Sequence, residues 1–204
     1  MAVFICFILI SYLIGSIPTS YLVGKGIGRI DLRRHGSGNL GATNAFRVLG
    51  WKIGVFVLCC DIIKGALPVI FLPKLATEAA NPGIALHNMA LIIGLAAILG
   101  HVFTVFMRFK GGKGVATSMG VFLALVPYPL LIALGISLII IGATRYVSAG
   151  SLVGAIVLPI LVYIFHPDRI SLVVFTALVG ILVIVRHRSN IIRLIKGKEN
   201  KLFT

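Results

Sequence analysis

The chain has 204 residues, of which 59% are hydrophobic and only 12% are charged, and its mean hydropathy is +1.10. Because soluble domains carry roughly a quarter charged residues, this composition excludes both a soluble globular protein and a disordered one. Continuous apolar runs long enough to cross a bilayer predict membrane helices, whereas a transmembrane barrel would show short alternating segments. The sequence therefore predicts an all-α integral membrane protein, a polytopic helical bundle in which residues 1–204 form a single domain.

Apolar runs follow one another along the chain with short polar breaks between them. The first run covers about 3–23 and is interrupted at Gly15 and Pro18. It lacks the basic start and the small-residue cleavage site of a signal peptide, so we expect it to remain as a helix. A polar connection with Lys74, Glu78, Asn81 and Pro82 follows the second run. The later runs cover about 51–73, 84–107, 115–143, 149–165 and 170–185.

The run at 115–143 is long for one crossing. Its 29 residues would form a helix of about 43 Å, against roughly 30 Å for the hydrocarbon core of a bilayer. Pro127 and Pro129 lie inside this run, and proline removes a backbone donor and disfavours helix in the preceding residue. A break at these prolines predicts seven transmembrane helices, some of them short, with five or six as alternatives.

The charge balance is strongly basic, with 19 Lys and Arg against 5 Asp and Glu and a net charge of +14. In a membrane protein this indicates cytoplasmic loops that follow the positive-inside rule and that attract anionic headgroups or substrates. The seven-helix arrangement gathers most of these bases on one side, which predicts an outside N-terminus and a cytoplasmic C-terminus. Membrane lipids are therefore an expected partner. Nucleic acid is not expected, because the bases lack interleaved aromatic residues.

The first polar segment, GSGNLGATNAFR at 36–47, combines glycines with side chains that form hydrogen bonds. Glycine permits close backbone approach, so this composition is typical of a binding site. A flexible loop followed by a helix cap is the alternative. The candidate donors and acceptors are Ser37, Asn39, Thr43 and Asn44, and Arg47 adds a bidentate cation.

The second polar segment, FKGGKGVATSMG at 109–120, places two lysines around a glycine pair just before an apolar helix. Backbone N–H groups at the helix start, together with Lys110 and Lys113, predict a phosphate cradle. It is not a nucleotide P-loop, because Gly114 stands where such a loop has Ser or Thr. The alternative is a positive-inside anchor with a glycine hinge.

The third polar segment, HRSNIIRLIKGKENK at 187–201, predicts a short interfacial helix capped by Ser189 or Asn190. His187 and Asn190 are three residues apart and are candidates to face one site. Glu199 is expected to pair with a nearby base. A purely amphipathic membrane anchor is the alternative reading of this tail.

A few polar residues lie inside the apolar runs. Burying Asp61 or Lys64 unpaired would cost roughly 2.5–3.5 kcal/mol, so we expect these two residues to pair, with an active-site floor or an ion path as the alternative. His101 is expected to be a packed, hydrogen-bonded histidine. Three cysteines are expected to be buried free thiols, namely Cys6, Cys59 and Cys60.

Other catalytic patterns are missing from the sequence. It contains no His-x4-Asp pair, no cluster with metal-ligand spacing and no Gly-x-Ser-x-Gly elbow. The sequence therefore predicts anion binding by bases and amides, without a metal, another cofactor or a covalent nucleophile.

Taken together, the segments resemble the bacterial acyl-phosphate:glycerol-3-phosphate acyltransferase family (PlsY type). Thr104 departs from the family pattern, which has proline there, and this should affect helix shape more than chemistry. The resemblance rests on GSIPTSYLVGK at 15–25, GSGNLGATNAFRVLG at 36–50, GHVFTVFMRFKGGKGVAT at 100–117 and HRSNIIRLIKGKE at 187–199.

The resemblance implies transfer of a fatty acyl group from acyl phosphate to the sn-1 hydroxyl of glycerol 3-phosphate. The products are lysophosphatidic acid and phosphate, at the start of phospholipid biosynthesis. It also implies a multi-pass protein of the bacterial inner membrane whose active site faces the cytoplasm, and we expect a monomer.

By motif, Ser37 and Arg47 match the first functional segment, residues 110–114 resemble the family's glycerol-phosphate-binding loop, and Glu199 matches a position tied to structural integrity. His187 and Asn190 match polar positions that the resemblance implies are important to activity. Combined with the residues chosen from composition, the expected catalytic set is Ser37, Asn39, Arg47, His187 and Asn190. The expected substrate-binding set is Thr43, Asn44, Lys110, Gly111, Gly112, Lys113 and Gly114.

A transporter of an anionic or lipid substrate is the alternative function. It would use Asp61, Lys64 and the helix break near Pro127 as a midplane site. An acyltransferase that takes acyl-CoA or acyl carrier protein directly has less support, because no recognition element for either bulky donor is evident.

Overall fold

A computed structural model describes residues 2–80 and 83–202, with the side chain of Ala80 outside the description. Within these ranges the chain forms α-helices and short 3₁₀ turns and no strand, which confirms the predicted all-α class. The chain divides into two compact units, Met1–Leu125 and Val126–Thr204. Each unit is described by itself below.

The first unit is built around four apolar helices and two shorter ones. Helix α1 packs along α5, and α4 packs against α6, α5 and α1. Two 3₁₀ turns, Leu32–Arg34 and Val105–Met107, lie in the connections. The helices are α1 (Ala2–Ser16), α2 (Thr19–Gly26), α3 (Ala42–Leu49), α4 (Trp51–Ala80), α5 (Leu86–Val102) and α6 (Val115–Leu125).

Glycines let two of these helix pairs approach backbone to backbone. A Cβ atom on any of these glycines would collide with a backbone carbonyl of the facing helix. Small residues at such crossings are the usual means by which membrane helices gain van der Waals contact. The glycines are Gly15 and Gly100 between α1 and α5, and Gly65 and Gly120 between α4 and α6.

The second unit contains α7 (Pro127–Thr144), α8 (Val147–Phe165), α9 (Ile170–Arg186) and α10 (Arg188–Ile195). Helix α8 packs against both α7 and α9, and α10 contacts α8 and α9. Helix α6 ends at Leu125 and α7 begins at Pro127, so the predicted break at the prolines is confirmed. The break follows from proline chemistry, since Pro127 occupies the first turn of α7, where no backbone donor is needed.

By length and composition, the described residues contain four helices able to cross a membrane. The number rises to six if two bent pairs, α1 with α2 and α9 with α10, each count as one crossing. The bend is 40° in the first pair and 59° in the second. Seven crossings would also require the shorter apolar helix α6, so that count stays a prediction.

Two sequence-based expectations about the apolar runs are wrong. Helix α4 continues through Lys74 and Glu78 instead of ending near residue 73, while Asn81 and Pro82 lie outside the described residues. Cys6 and Cys59 are free thiols as expected, but they are exposed on the outside of α1 and α4, and Cys60 is half-buried. The physical reason is that apolar residues of a membrane helix face lipid as readily as they face the protein interior.

Candidate active site

The connection between α2 and α3 carries the first polar segment and is anchored by a small apolar core. Leu32 is fully buried and clusters with Ala45 of α3 and Val57 of α4. Next to it, the Asp31 carboxylate accepts a 2.7 Å hydrogen bond from Nη2 of Arg33. This hydrogen-bonded guanidinium holds the pKa of the Asp31 carboxyl well below its usual range, so the pair stays charged at physiological pH.

Asn44 organises the glycine-containing part of this connection. Its Oδ1 atom accepts a 2.8 Å hydrogen bond from the Ser37 backbone N–H, and its Nδ2 atom donates at 3.1 Å to the carbonyls of Leu32 and His35. Gly36 has φ +61°, and a Cβ atom there would collide with the Asn44 side chain. Both amide hydrogens of Asn44 are thus used inside the protein, which favours a positioning role over the predicted direct contact with substrate.

The other residues of the first segment follow one another along the loop and α3. Ser37 is exposed, Asn39 and Thr43 are half-buried, and Gly41 caps the N-terminus of α3 with extended backbone. Thr43 therefore lies in the first turn of α3 and Arg47 near its C-terminal end. Their contact with a substrate stays a prediction.

The lysine loop, Lys110–Gly114, turns back against the end of α5. Arg108 and Phe109 both have left-handed backbone angles, with φ +52° and +61°, and they reverse the chain. The Gly111 N–H then donates to the carbonyl of Val102, and the Gly112 N–H to the carbonyl of His101, each at 3.1 Å. These two amides are therefore occupied, so the predicted backbone cradle for phosphate would have to use the start of α6 at Gly114 and Val115.

Gly112 joins the lysine loop to the first polar segment. A Cβ atom at this position would lie 2.6 Å from the carbonyl oxygen of Leu40 and would collide with Nε2 of His101. Lys110 is exposed, whereas Lys113 is half-buried and has its own contacts in the protein. The structure thus brings two of the three predicted segments together at the contact between Leu40 and Gly112.

A narrow polar cleft lies beside this contact, inside the first unit. Asp61 and Lys64 form the expected ion pair, with Lys64 Nζ at 2.7 Å from Asp61 Oδ1. The same carboxylate oxygen accepts a 3.0 Å hydrogen bond from the Thr19 hydroxyl. The cleft is lined by Ser16, Ile17, Pro18, Thr19, Ser20, Leu40, Asp61, Lys64, His101, Thr104, Gly111 and Gly112.

Thr104 shows what replaces the proline of the family pattern. Its φ of −62° is the angle that a proline ring imposes, so a proline would fit this backbone angle. Its hydroxyl also donates a 2.5 Å hydrogen bond to the carbonyl of Ser16, at the end of α1. The threonine therefore adds a buried link between α1 and the connection that follows α5.

The third polar segment folds against the end of α9 in the second unit. His187 is buried and its Nδ1 atom lies 2.8 Å from the carbonyl oxygen of Val183. Because a carbonyl only accepts, Nδ1 carries a proton, and Nε2 is the ring nitrogen that takes part in any proton transfer. Helix α10 begins directly after His187, so the expected caps at Ser189 and Asn190 are wrong, since both residues lie inside its first turn.

Glu199 is the structural partner that the sequence predicted. Its Oε2 atom lies 2.8 Å from Nε of Arg193, and its Oε1 atom accepts a 2.8 Å hydrogen bond from the side chain of Asn190. Asn190 therefore has a contact that holds it in place, in addition to its expected role in activity.

Sequence reasoning missed the hydroxyl groups of the cleft and the carbonyl of Leu40. The chain offered one signal for the hydroxyls, because Ser16, Thr19 and Ser20 surround Pro18 in an otherwise apolar run. A helix interrupted at membrane depth needs polar partners for its freed backbone groups. Leu40 gave no signal, since its contribution is a main-chain atom that every residue possesses.

Comparison with known proteins decides the family. The sequence profile described as glycerol-3-phosphate acyltransferase matches residues 5–197. The chain belongs to the glycerol-3-phosphate acyltransferase family. A glycerol-3-phosphate acyltransferase of Trichlorobacter lovleyi is 48% identical over 94% of this chain and 93% of its own. One of Endomicrobium trichonymphae is also 48% identical, over 99% of this chain and 97% of its own.

Two crystal structures of PlsY, described as an integral membrane glycerol 3-phosphate acyltransferase, have the same fold. The glycerol 3-phosphate form matches with a TM-score of 0.86 at 36% identity, over 97% of this chain and 94% of that one. The lysophosphatidic acid form matches with a TM-score of 0.82 at 34% identity and the same coverage. This member of the acyltransferase family is thus an integral membrane protein with the PlsY fold.

Proposed function

We propose that this chain transfers a fatty acyl group from acyl phosphate to the sn-1 hydroxyl of glycerol 3-phosphate. The products are lysophosphatidic acid and inorganic phosphate. The observation that carries the proposal is the contact between the first polar segment and the lysine loop at Leu40 and Gly112. It gathers hydrogen-bond donors and basic side chains in one membrane-embedded unit of a protein of this family.

This arrangement suits a reaction whose two substrates are both phosphate esters or anhydrides. Arg47 offers a planar guanidinium and Lys110 an exposed ammonium, and both groups bind phosphate through charge-assisted hydrogen bonds. Thr43, Lys113 and the start of α6 at Gly114 complete the proposed phosphate-binding set, while Gly111 and Gly112 shape the loop. Ser37 and Asn39 then orient the reacting groups.

The chemistry needs no covalent intermediate on the protein. The sn-1 hydroxyl oxygen attacks the acyl carbonyl carbon, the carbon–oxygen bond to phosphate breaks, and phosphate leaves with the bonding electrons. Because acyl phosphate is already activated, the protein's task is to align the hydroxyl with the carbonyl and to stabilise the oxyanion. Neither a metal nor another cofactor is required for this step.

The hydroxyl proton has two candidate acceptors. One is Nε2 of His187, whose other ring nitrogen is bound to the carbonyl of Val183. The other is a phosphate oxygen of a substrate. Asn190, three residues after His187 in α10, completes the proposed catalytic set from the third segment.

We further propose that the enzyme is a monomer of the bacterial inner membrane with its site facing the cytoplasm. Orientation follows from the bases, since Lys110, Arg188 and Lys198 would then lie on the side where the positive-inside rule places them. Glycerol 3-phosphate would enter from the cytoplasm, and the acyl chain of the donor from the surrounding lipid.

The test uses purified protein, labelled glycerol 3-phosphate and three donors in parallel: palmitoyl phosphate, palmitoyl-CoA and palmitoyl-acyl carrier protein. We expect labelled lysophosphatidic acid from palmitoyl phosphate alone, without added metal. Product from palmitoyl-CoA or the carrier protein at a similar rate would contradict the proposed donor.

A failure with all three donors, by protein shown to be folded, would favour the transport alternative. Uptake of labelled glycerol 3-phosphate into vesicles would then be measured. Uptake without acyl transfer would overturn the enzyme proposal, whereas acyl transfer in detergent without any vesicle gradient supports it.

A further inference from the structure

A cluster of buried polar side chains in the first unit has no part in the chemistry above. Asp61 and Lys64 come from α4, Thr19 from α2 and His101 from α5. Asp61 is 2% exposed and Lys64 is 6% exposed. Charged groups at membrane depth are costly to bury, so such a cluster calls for an explanation.

The Asp61 carboxylate is held from two sides. Its Oδ1 atom accepts hydrogen bonds from Lys64 at 2.7 Å and from Thr19 at 3.0 Å. Lys64 in turn donates at 2.8 Å to the carbonyl of Ile17, at the break between α1 and α2. The carboxylate oxygen is therefore a negative charge at a fixed position.

This fixed charge lies beside the ring of His101. The Nδ1 atom of His101 is 3.9 Å from Asp61 Oδ1. A carboxylate at this distance favours the ring orientation in which Nδ1–H points toward it. The opposite nitrogen, Nε2, is then directed at Gly112, where a Cβ atom would collide with it.

The same histidine also binds the lysine loop through its main chain. Its carbonyl oxygen accepts the 3.1 Å hydrogen bond from the Gly112 N–H. The ring and the backbone of one residue thus contact Gly112 together. Whatever fixes the His101 ring also fixes Gly112, with Lys110 and Lys113 on either side of it.

We propose that Asp61 and His101 are positioning residues that hold the lysine loop in its binding conformation. Asp61 orients the imidazole, and the imidazole sets the place of Gly112 against the carbonyl of Leu40. The inference rests on the proposed function only in that the loop's lysines bind the phosphate of glycerol 3-phosphate.

The first test is a pair of double-mutant cycles on KM for glycerol 3-phosphate. His101→Ala and Gly112→Ala should each raise KM about tenfold or more, because small displacements of a binding group are costly. The double variant should raise KM by clearly less than the product of the two single fold-increases. The reason is that the methyl group at position 112 then occupies space left by the missing ring. A multiplicative result would overturn the contact between ring and loop.

Gly111→Ala is the matched control for this cycle. A Cβ atom at Gly111 would collide with the His101 carbonyl, which His101→Ala leaves in place. The effects of Gly111→Ala and His101→Ala should therefore multiply. If His101→Ala reduced the KM effect of Gly111→Ala as much as that of Gly112→Ala, the cause would be a general loosening of the loop and not a specific ring contact.

The second test addresses Asp61. Removing its charge alone would leave Lys64 buried without a counter-ion, so Asp61→Asn is combined with Lys64→Met. This variant should raise KM for glycerol 3-phosphate more than it lowers kcat, and adding His101→Ala should raise KM no further. Should the combined variant fail to fold, the cycle of His101 with Gly112 still decides the contact between ring and loop, because it changes no charge in the ion pair.

A third readout does not depend on catalysis. A spin label is attached through Lys110→Cys in a chain whose three native cysteines are replaced by alanine, with Lys74→Cys as the control position on α4. His101→Ala should increase label mobility at position 110 and leave it unchanged at position 74. If the wild type makes no lysophosphatidic acid but the label responds, the proposed function fails and the positioning role stands. If acyl transfer occurs and neither KM nor mobility responds, the positioning role fails.

Discussion

The side-chain oxygen of Asn44 accepts a 2.8 Å hydrogen bond from the backbone N–H of Ser37, seven residues earlier in the chain. Asn44 also donates to the carbonyls of Leu32 and His35, which accept turn hydrogen bonds from the N–H groups of His35 and Gly38 as well. A buried amide at 1% exposure with all three bonds made is a strong constraint on the loop.

Asn44→Ala should therefore displace Ser37 as well as destabilise the protein. We expect a stability loss of about 2 kcal/mol, because the Ser37 N–H loses its acceptor and two carbonyls each lose one of two donors, and a fall in kcat of roughly a hundredfold. Thermal unfolding in detergent and steady-state kinetics measure the two effects. Thr77→Ser, at an exposed position on α4, keeps the hydroxyl that donates to the carbonyl of Pro73, so it is the control and should change neither. Unchanged kcat in folded Asn44→Ala protein would contradict the positioning of Ser37.

His187→Ala tests the proton acceptor. If Nε2 of His187 takes the proton, kcat should fall by about a hundredfold or more and the acidic limb of its pH profile should disappear. His187→Asn keeps an amide donor near the carbonyl of Val183 and should be equally slow, which separates loss of the base from loss of the helix contact. Near-normal turnover of His187→Ala would assign the proton to a substrate phosphate.

Lys110→Met tests the exposed ammonium of the lysine loop. Because hydrogen bonds to charged groups contribute roughly 1.5–3 kcal/mol, KM for glycerol 3-phosphate should rise about ten- to a hundredfold. Lys74→Met removes an exposed charge from α4 and should leave KM unchanged. Equal effects of the two substitutions would indicate a general electrostatic contribution and would count against a specific phosphate contact.

Glu199→Ala should lower stability more than it lowers binding. It leaves the amide of Asn190 and the guanidinium of Arg193 without their acceptor, at a cost of about 2–3 kcal/mol. Glu199→Gln keeps one acceptor oxygen, so its stability should lie between that of the wild type and that of Glu199→Ala. Glu78→Gln, at an exposed position on α4, is the control, and all four proteins are compared by thermal unfolding.

Glycine substitutions should separate helix packing from helix propensity. Gly120→Ala places a methyl group against the backbone of α4 and should destabilise the protein. Gly135→Ala meets no atom within 4 Å and should stabilise α7 by about 0.5–1 kcal/mol. The two variants differ only in position, and a Gly120→Ala protein at least as stable as the wild type would contradict the close crossing of α4 and α6.

The apolar runs predicted the longer helices but not α3 and α10, because crossing a bilayer demands long uninterrupted apolar sequence and proline marks the breaks. The helix ends were less predictable. Lys74 and Glu78 are compatible with both a helix and a polar connection, and the structure has them in α4. The cap of α10 was assigned to the wrong residues because α9 and α10 are separated by His187 alone, which leaves no room for a separate capping residue.

The sequence predicts the residue types of the proposed site better than it predicts their contacts in the fold. The sequence does not distinguish a buried asparagine that holds a loop from an asparagine that binds a substrate. The contacts of Asn44 could therefore be assigned only from the fold. The contact of Gly112 with Leu40 and His101 joins residues far apart in sequence, and one partner is a main-chain oxygen. No pattern of side chains encodes such an approach. The ion pair of Asp61 and Lys64 was predictable because its partners lie one helical turn apart.

Helix α6 has 11 residues, a length of about 16 Å, which is roughly half the thickness of the hydrocarbon core. The two ends of such a helix do not reach both surfaces of the bilayer, so either the surrounding lipid thins or one end remains at hydrocarbon depth. Backbone amides at that depth have no water to bind and must be satisfied by the protein. The pairing of Gly111 and Gly112 with the last carbonyls of α5 meets this requirement at one end of the helix. Under the proposed function, the charged loop would lie in a recess below the membrane surface, where a water-soluble phosphate and the head of a lipid-anchored donor would meet at one level.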